Sequence, residues 1–230
     1  VWEVNTDREI TNINLGFRNT VNSVAFSPDS KFVVSGSIDD IARVWDVSTG
    51  HEITSMDLGL NDTVNSVAFS PDGRFIISGS KDGTVRIWEA NEGREIAHMS
   101  YEGMVLSVAF SPNGKYIVSG TSNGTIHVEE IKTGQEIARL VQGNSSILTV
   151  AFSLDGKQIL SANVDNITSD RARSIARVWE YLPEDLIANA CSRATRNLTR
   201  VEWQQYIGDA LPYQAVCENL PIEPEVTATP

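Results

Sequence analysis

Short apolar runs recur along the first 180 residues at a nearly fixed interval, each broken by turn-forming residues. "VNSVAFSPD" at 21–29 returns at 64–72, and is followed by "VLSVAFSPN" at 105–113 and "ILTVAFSLD" at 147–155. The leading residues Val21, Val64, Val105 and Ile147 stand 43, 41 and 42 positions apart. A second phrase keeps step: "VW" at 1–2, "ARVWD" at 42–46, "VRIWE" at 85–89, "HVEE" at 127–130 and "ARVWE" at 176–180. Runs this short, rich in β-branched and aromatic residues, predict strands. In the copy that begins at Val64, strand a is 64–69, strand b 75–80, strand c 85–88 and strand d roughly 95–99. "SPDGR" at 70–74 joins a to b and "KDGT" at 81–84 joins b to c, both as tight turns. Apolar groups on both faces of strand a predict a sheet covered on both sides.

A period of about 40–45 residues holding four short antiparallel strands is that of a propeller blade. The fold class is therefore all-β. The four in-register copies resemble the WD-repeat β-propeller family over residues 1 to about 181. In that family a Gly-His pair before strand a supplies a histidine, which joins the strand-c tryptophan through a buried serine and an aspartate. The resemblance puts the histidine positions at Phe17, Leu60, Tyr101 and Gly143, so no copy keeps the histidine. Asp39 and Asp82 match the aspartate, and Trp45, Trp88 and Trp179 the tryptophan, while Glu129 takes the tryptophan place in the third blade. Two expectations follow from these departures. Apolar packing from Phe17, Leu60 and Tyr101 replaces the incomplete hydrogen-bond network, and Glu129→Trp stabilises a weak third blade by about 1–2 kcal/mol.

Residues 1–14 read as strands c and d of a partial blade. Repeats follow from about 15, 58, 100 and 142, and the last of them ends after strand c. The chain thus carries about four blades' worth of a propeller and reads as part of a larger ring, with apolar faces and strand edges left for another chain or for itself. Beyond 181 the grammar changes. "LPEDLIANACSRATRN" and "TRVEWQQYIG" predict a helical tail over 182–222, with an acidic start, basic end and capping residues, and 223–230 reads as disordered. The run "NACSRATRNLTRVEWQQYIGDALPYQAVCENLP" resembles the C-terminal tail of large bacterial WD-repeat signalling proteins. That resemblance implies an upstream NTPase or protease-like effector, with the propeller as sensor and restraint. The absence of a methionine before Val1 also reads as a piece of something longer.

Chemistry enters the picture mainly by exclusion. A net charge of −12 repels a phosphate backbone, so nucleic acid is not an expected partner. No apolar run is long enough to span a membrane, and no signal peptide opens the chain. The two cysteines, Cys191 and Cys217, fit a reducing compartment and lack the spacing of a zinc site, so a cytoplasmic location and no metal are expected. His51, His98 and His127 form no triad, and no phosphate-binding loop occurs, so neither catalysis nor a cofactor is expected. One feature stands out. The last b–c connection carries eight additional residues, since Ser161 and Trp179 stand eighteen apart where Ser78 and Trp88 stand ten apart. It is expected to bulge as a mobile loop over 165–174. With Phe17, Leu60, Tyr101, Met104, Asp170, Arg171 and Arg173 it would form a rim for a protein partner or for the parent chain's effector domain.

Overall fold

The structure, a computed structural model, describes residues 1–3, 5–15, 19–59, 62–143, 145–166 and 172–181. Contacts divide the chain into two compact units, Val1–Trp179 and Glu180–Pro230. The helical tail expected over 182–222 and the end at 223–230 lie outside the described residues.

The first unit is built of antiparallel sheets, each formed from consecutive strands. A two-stranded piece comes first, β1 (Trp2–Glu3) with β2 (Arg8–Glu9). The first full blade holds β3 (Val21–Phe26), β4 (Phe32–Ser37), β5 (Ile41–Asp46) and β6 (Glu52–Asp57). The second holds β7 (Val64–Phe69), β8 (Phe75–Ser80), β9 (Thr84–Glu89) and β10 (Glu95–Ser100). The third holds β11 (Val105–Phe110), β12 (Tyr116–Thr121), β13 (Thr125–Glu130) and β14 (Gln135–Val141). A three-stranded fourth follows, β15 (Ile147–Phe152), β16 (Gln158–Asn166) and β17 (Ala172–Glu180). β1 and β2 pair in the same register as the third and fourth strands of the full blades. Trp2 faces Glu9 across that pair, as Trp45 faces Glu52 and Trp88 faces Glu95 in the full blades.

The repeated "SP" turn forms for one local reason. The Ser27 hydroxyl donates to Asp29 Oδ1 at 2.7 Å and accepts from the Phe32 amide at 2.9 Å, which closes the a–b turn. Ser70, Ser111 and Ser153 repeat the arrangement with Asp72, Asn113 and Asp155. The turn ends in the left-handed region, at φ 72° for Gly73 and 60° for Ser30, which glycine enters without strain and serine does not.

Blades stack face to face. Val34 and Val44 of the first pack with Val64 and Val67 of the second, and Ile77 and Ile87 of the second with Val105 and Val108 of the third. The contact is close because strand b carries glycine at its middle. A Cβ added to Gly36, Gly79 or Gly120 would lie 2.5–2.6 Å from a methyl of Val64, Val105 or Ile147. Gly79→Ala should therefore destabilise the chain by about 1–2 kcal/mol through overpacking, read as a lowered denaturation midpoint. An unchanged midpoint would mean that the seam can open at no cost.

Candidate functional site

The b–c and d–a connections meet on one rim. The Met104 amide donates to Ser122 Oγ at 2.9 Å, and the Ser122 amide donates back to the Met104 carbonyl at 2.8 Å. Asn123 Nδ2 donates to the Glu102 carbonyl at 2.8 Å. Of the residues expected on this rim, Met104 is exposed there. Phe17, Leu60, Asp170 and Arg171 lie outside the described residues, as does the side chain of Arg173. The lengthened b–c connection differs from its expectation. β16 and β17 are nine residues each, where β8 and β9 are six, so much of the extra sequence extends the hairpin. Asp165, Asn166, Ala172, Arg173 and Ser174 belong to strands, not to a bulging loop. Pairing extra residues satisfies backbone groups that a loop would leave to water.

Inside the blades the tryptophans make one of the bonds that the resemblance implied. The indole N–H of Trp45, Trp88 and Trp179 donates to Ser35, Ser78 and Ser161 at 2.8, 2.9 and 2.8 Å. In the last blade the chain of bonds continues, against expectation. The Ser161 hydroxyl donates to Gln142 Oε1 at 2.6 Å, and Gln142 Nε2 donates to Asn163 Oδ1 at 2.7 Å. Gln142 thus supplies the donor–acceptor pair of the absent histidine, one residue before the position at which that histidine was sought. An amide can do so because it carries both a donor and an acceptor. In the first blade Asp39 accepts from Asn19 Nδ2 at 2.9 Å and pairs with Arg43 at 2.8 Å. Burial acts to raise the Asp39 pKa, but hydrogen bonds from Arg43 and Ser37 outweigh it and hold the carboxyl below its ordinary value.

The third blade departs at several positions together. Tyr101 stands in the histidine place, His127 in that of Arg43 and Arg86, and Glu129 in that of the tryptophans. Tyr101 packs against the apolar cluster of Ile77, Ile87 and Val105, as expected, and makes polar contacts besides. Its hydroxyl donates to Glu129 Oε1, and its ring stacks on the His127 imidazole at 4.1 Å and 18°. His127 Nδ1 meets Glu136 Oε1 at 2.7 Å, and Arg139 clamps Glu136 from outside at 3.0 and 2.7 Å. Glu129 and His127 are only 2% and 5% exposed, and Glu129 Oε2 is buried without a hydrogen-bond partner.

Burial sets the charges in this cluster. It pushes the Glu129 carboxyl up to about 7 and holds His127 below its ordinary value. Burial and the Glu129 carboxyl together raise the Tyr101 phenol. Hydrogen bonding from Arg139, ahead of that from His127, lowers Glu136. The cluster therefore holds a neutral imidazole between an ionised outer carboxylate and an inner one poised near neutrality. The sequence carried the signal in plain sight. Tyr101 and Glu129 each break the repeat, and the two breaks compensate one another.

Comparison with known proteins agrees with this architecture. The family model described as "IFT122 first beta-propeller" matches residues 1–169. A solved structure, "Crystal structure of the computationally designed Ika4 protein", is 28% identical, covering 75% of this chain and 98% of its own at a TM-score of 0.61. A search of curated proteins found no match.

Proposed function

Because the chain belongs to the IFT122 first beta-propeller family, we propose that it is a non-catalytic protein-interaction and scaffold module, the sensor portion of a multidomain bacterial signalling or defence protein. The observation that carries this reading is apolar surface left open on the first and fourth blades, the former lined only in part by Val1, Trp2 and Glu9 of the two-stranded piece. Val24 on β3 is 64% exposed, whereas Val67, its counterpart one blade on, is 4% exposed. At the other end Val178 on β17 is 62% exposed, whereas its counterpart Val128 is fully buried. Phe26 and Leu160 are exposed beside them. Apolar surface of this kind marks a protein contact, and each face presents strand positions that a neighbouring blade buries elsewhere in the chain. Further blades of a parent chain are the first candidates to cover them.

The second reading is self-assembly, favoured by the complementarity of the two faces. β3 presents the face that β7 and β11 bury, and the β16–β17 pair presents the face that buries them. A second copy joined head to tail would repeat the seam already present three times. Sedimentation over a hundredfold range of concentration tests the reading. Reversible association is expected, and it should be abolished in the Val24→Asp and Val178→Asp variants with their circular dichroism unchanged. A monodisperse wild-type monomer that also fails to bind a polypeptide carrying the neighbouring blades would sink the interaction reading.

A further inference from the structure

We propose that His127, Glu129 and Glu136 of the third blade form a binding site for a divalent transition-metal cation of the zinc type. One ligating atom from each lies within 4.8 Å of the others. The backbone explains the convergence. His127 and Glu129 are two residues apart on β13 and share a face, and Glu136 on β14 is the register partner of Glu129. A register shift between Val128 and Glu129 brings the inner carboxylate into line.

The independent observation is the buried Oε2 of Glu129, which has no hydrogen-bond partner. Its other oxygen accepts from the Tyr101 hydroxyl. Metal-bound carboxylates are typically held this way, with one oxygen fixed by an outer donor and the other free for the ion. The Tyr101 ring, stacked on His127, fixes the imidazole plane as well. His127 Nδ1 and Glu136 Oε1 now stand 2.7 Å apart. They would separate to roughly 3.3 Å around a tetrahedral ion with bonds of about 2.0–2.1 Å.

The other blades show what the ion would replace. The strand-d glutamates Glu52 and Glu95 pair with guanidinium groups, Arg43 at 3.6 Å and Arg86 at 3.7 Å. In the third blade His127 takes the place of the arginine, and a second carboxylate arrives at Glu129. Positive charge is contributed from outside by Arg139, which also faces the charge of Glu102. Arg139 reaches Glu136 and leaves Glu129 Oε2 without a partner. One imidazole nitrogen and two carboxylates suit zinc and its first-row neighbours. Calcium takes six to eight oxygens, and magnesium retains several waters.

The test uses the whole 230-residue chain, stripped with a chelator and titrated with zinc chloride by calorimetry. Metal content is then measured after dialysis. Uptake of one zinc per chain and a higher melting temperature are expected. His127→Arg restores the residue of the first two blades, and Glu129→Gln keeps the shape of the side chain. Each should weaken binding at least 100-fold, whereas Cys191→Ser with Cys217→Ser should leave it unchanged. Absence of saturable uptake overturns the assignment. So does uptake that survives either Glu129→Gln or His127→Arg, or that disappears in the cysteine variant.

Discussion

Glu129→Trp is expected to destabilise the chain by about 2–3 kcal/mol, the opposite of what the repeat pattern suggested. The pattern treats Glu129 as an absent tryptophan. In the structure its carboxyl is the acceptor for Tyr101, whose ring fills space beside His127. An indole at 129 would collide with that ring and leave the buried phenol without its acceptor. Overpacking and a lost buried hydrogen bond each cost about 1–3 kcal/mol. Tyr101→His alone should also destabilise, because a smaller side chain leaves a cavity and removes the donor to Glu129. The double variant recreates the tryptophan–serine–histidine arrangement with Ser119, which stands where Ser35 and Ser78 stand. It should recover at least about 1 kcal/mol relative to the sum of the single losses. Chemical denaturation of all four proteins measures this coupling. Additive losses, or a stabilised single variant, would rule out the compensating pair.

The second large effect is a dependence on pH, measured on metal-free protein. Glu129 titrates near 7 in the folded chain because it is buried, against an ordinary value of 4.5. Between those values the folded state keeps a proton that the unfolded state has released. The stability contributed by this group is therefore complete below about 4.5 and is lost as pH rises through 7, by on the order of 3 kcal/mol. His127 acts in the other direction. Its lowered folded value means a contribution present above about 6.5 and lost as pH falls through the folded value. Glu136 and Asp39, both depressed, contribute above their unfolded values and lose that contribution in stronger acid. Glu129→Gln removes only the first of these. Between pH 5 and 7.5 the wild-type chain should lose about 2–3 kcal/mol relative to that variant in urea denaturation. Parallel curves for the two proteins would mean that Glu129 is ionised in the fold throughout.

Most of the blade architecture was readable because each strand is written several times. A phrase such as "VNSVAFSPD" at 21 and 64 fixes strand, turn and register together. What escaped reading lies where the copies disagree. Tyr101 and Glu129 sit 28 positions apart, and a comparison made one position at a time sees two defects instead of one bond. Gln142 was hidden by counting, since the histidine role moved to the adjacent residue while the partner serine stayed in place. The lengthened hairpin at β16 and β17 was misread for a different reason. Added length by itself cannot distinguish a bulging loop from a longer ladder.

The seams between blades also determine how the chain would respond to force. Asn22 Nδ2 donates to the Val64 carbonyl at 3.0 Å, and the Val67 amide donates to Ser23 Oγ at 3.1 Å. Asn65 and Ser66 repeat both bonds with Val105 and Val108. At the next seam Leu106 takes the asparagine position, and the bond from the Val150 amide to Ser107 Oγ at 3.1 Å remains. Each blade is continuous in sequence, so a pulled chain would surrender blades one at a time. Every release would lengthen the tether by roughly 150 Å, the extended span of about 42 residues. At the join between β11 and β15, Ser146 Oγ donates to the Ser122 carbonyl at 3.0 Å from just beyond the strand, so tension there would be carried nearer the rim.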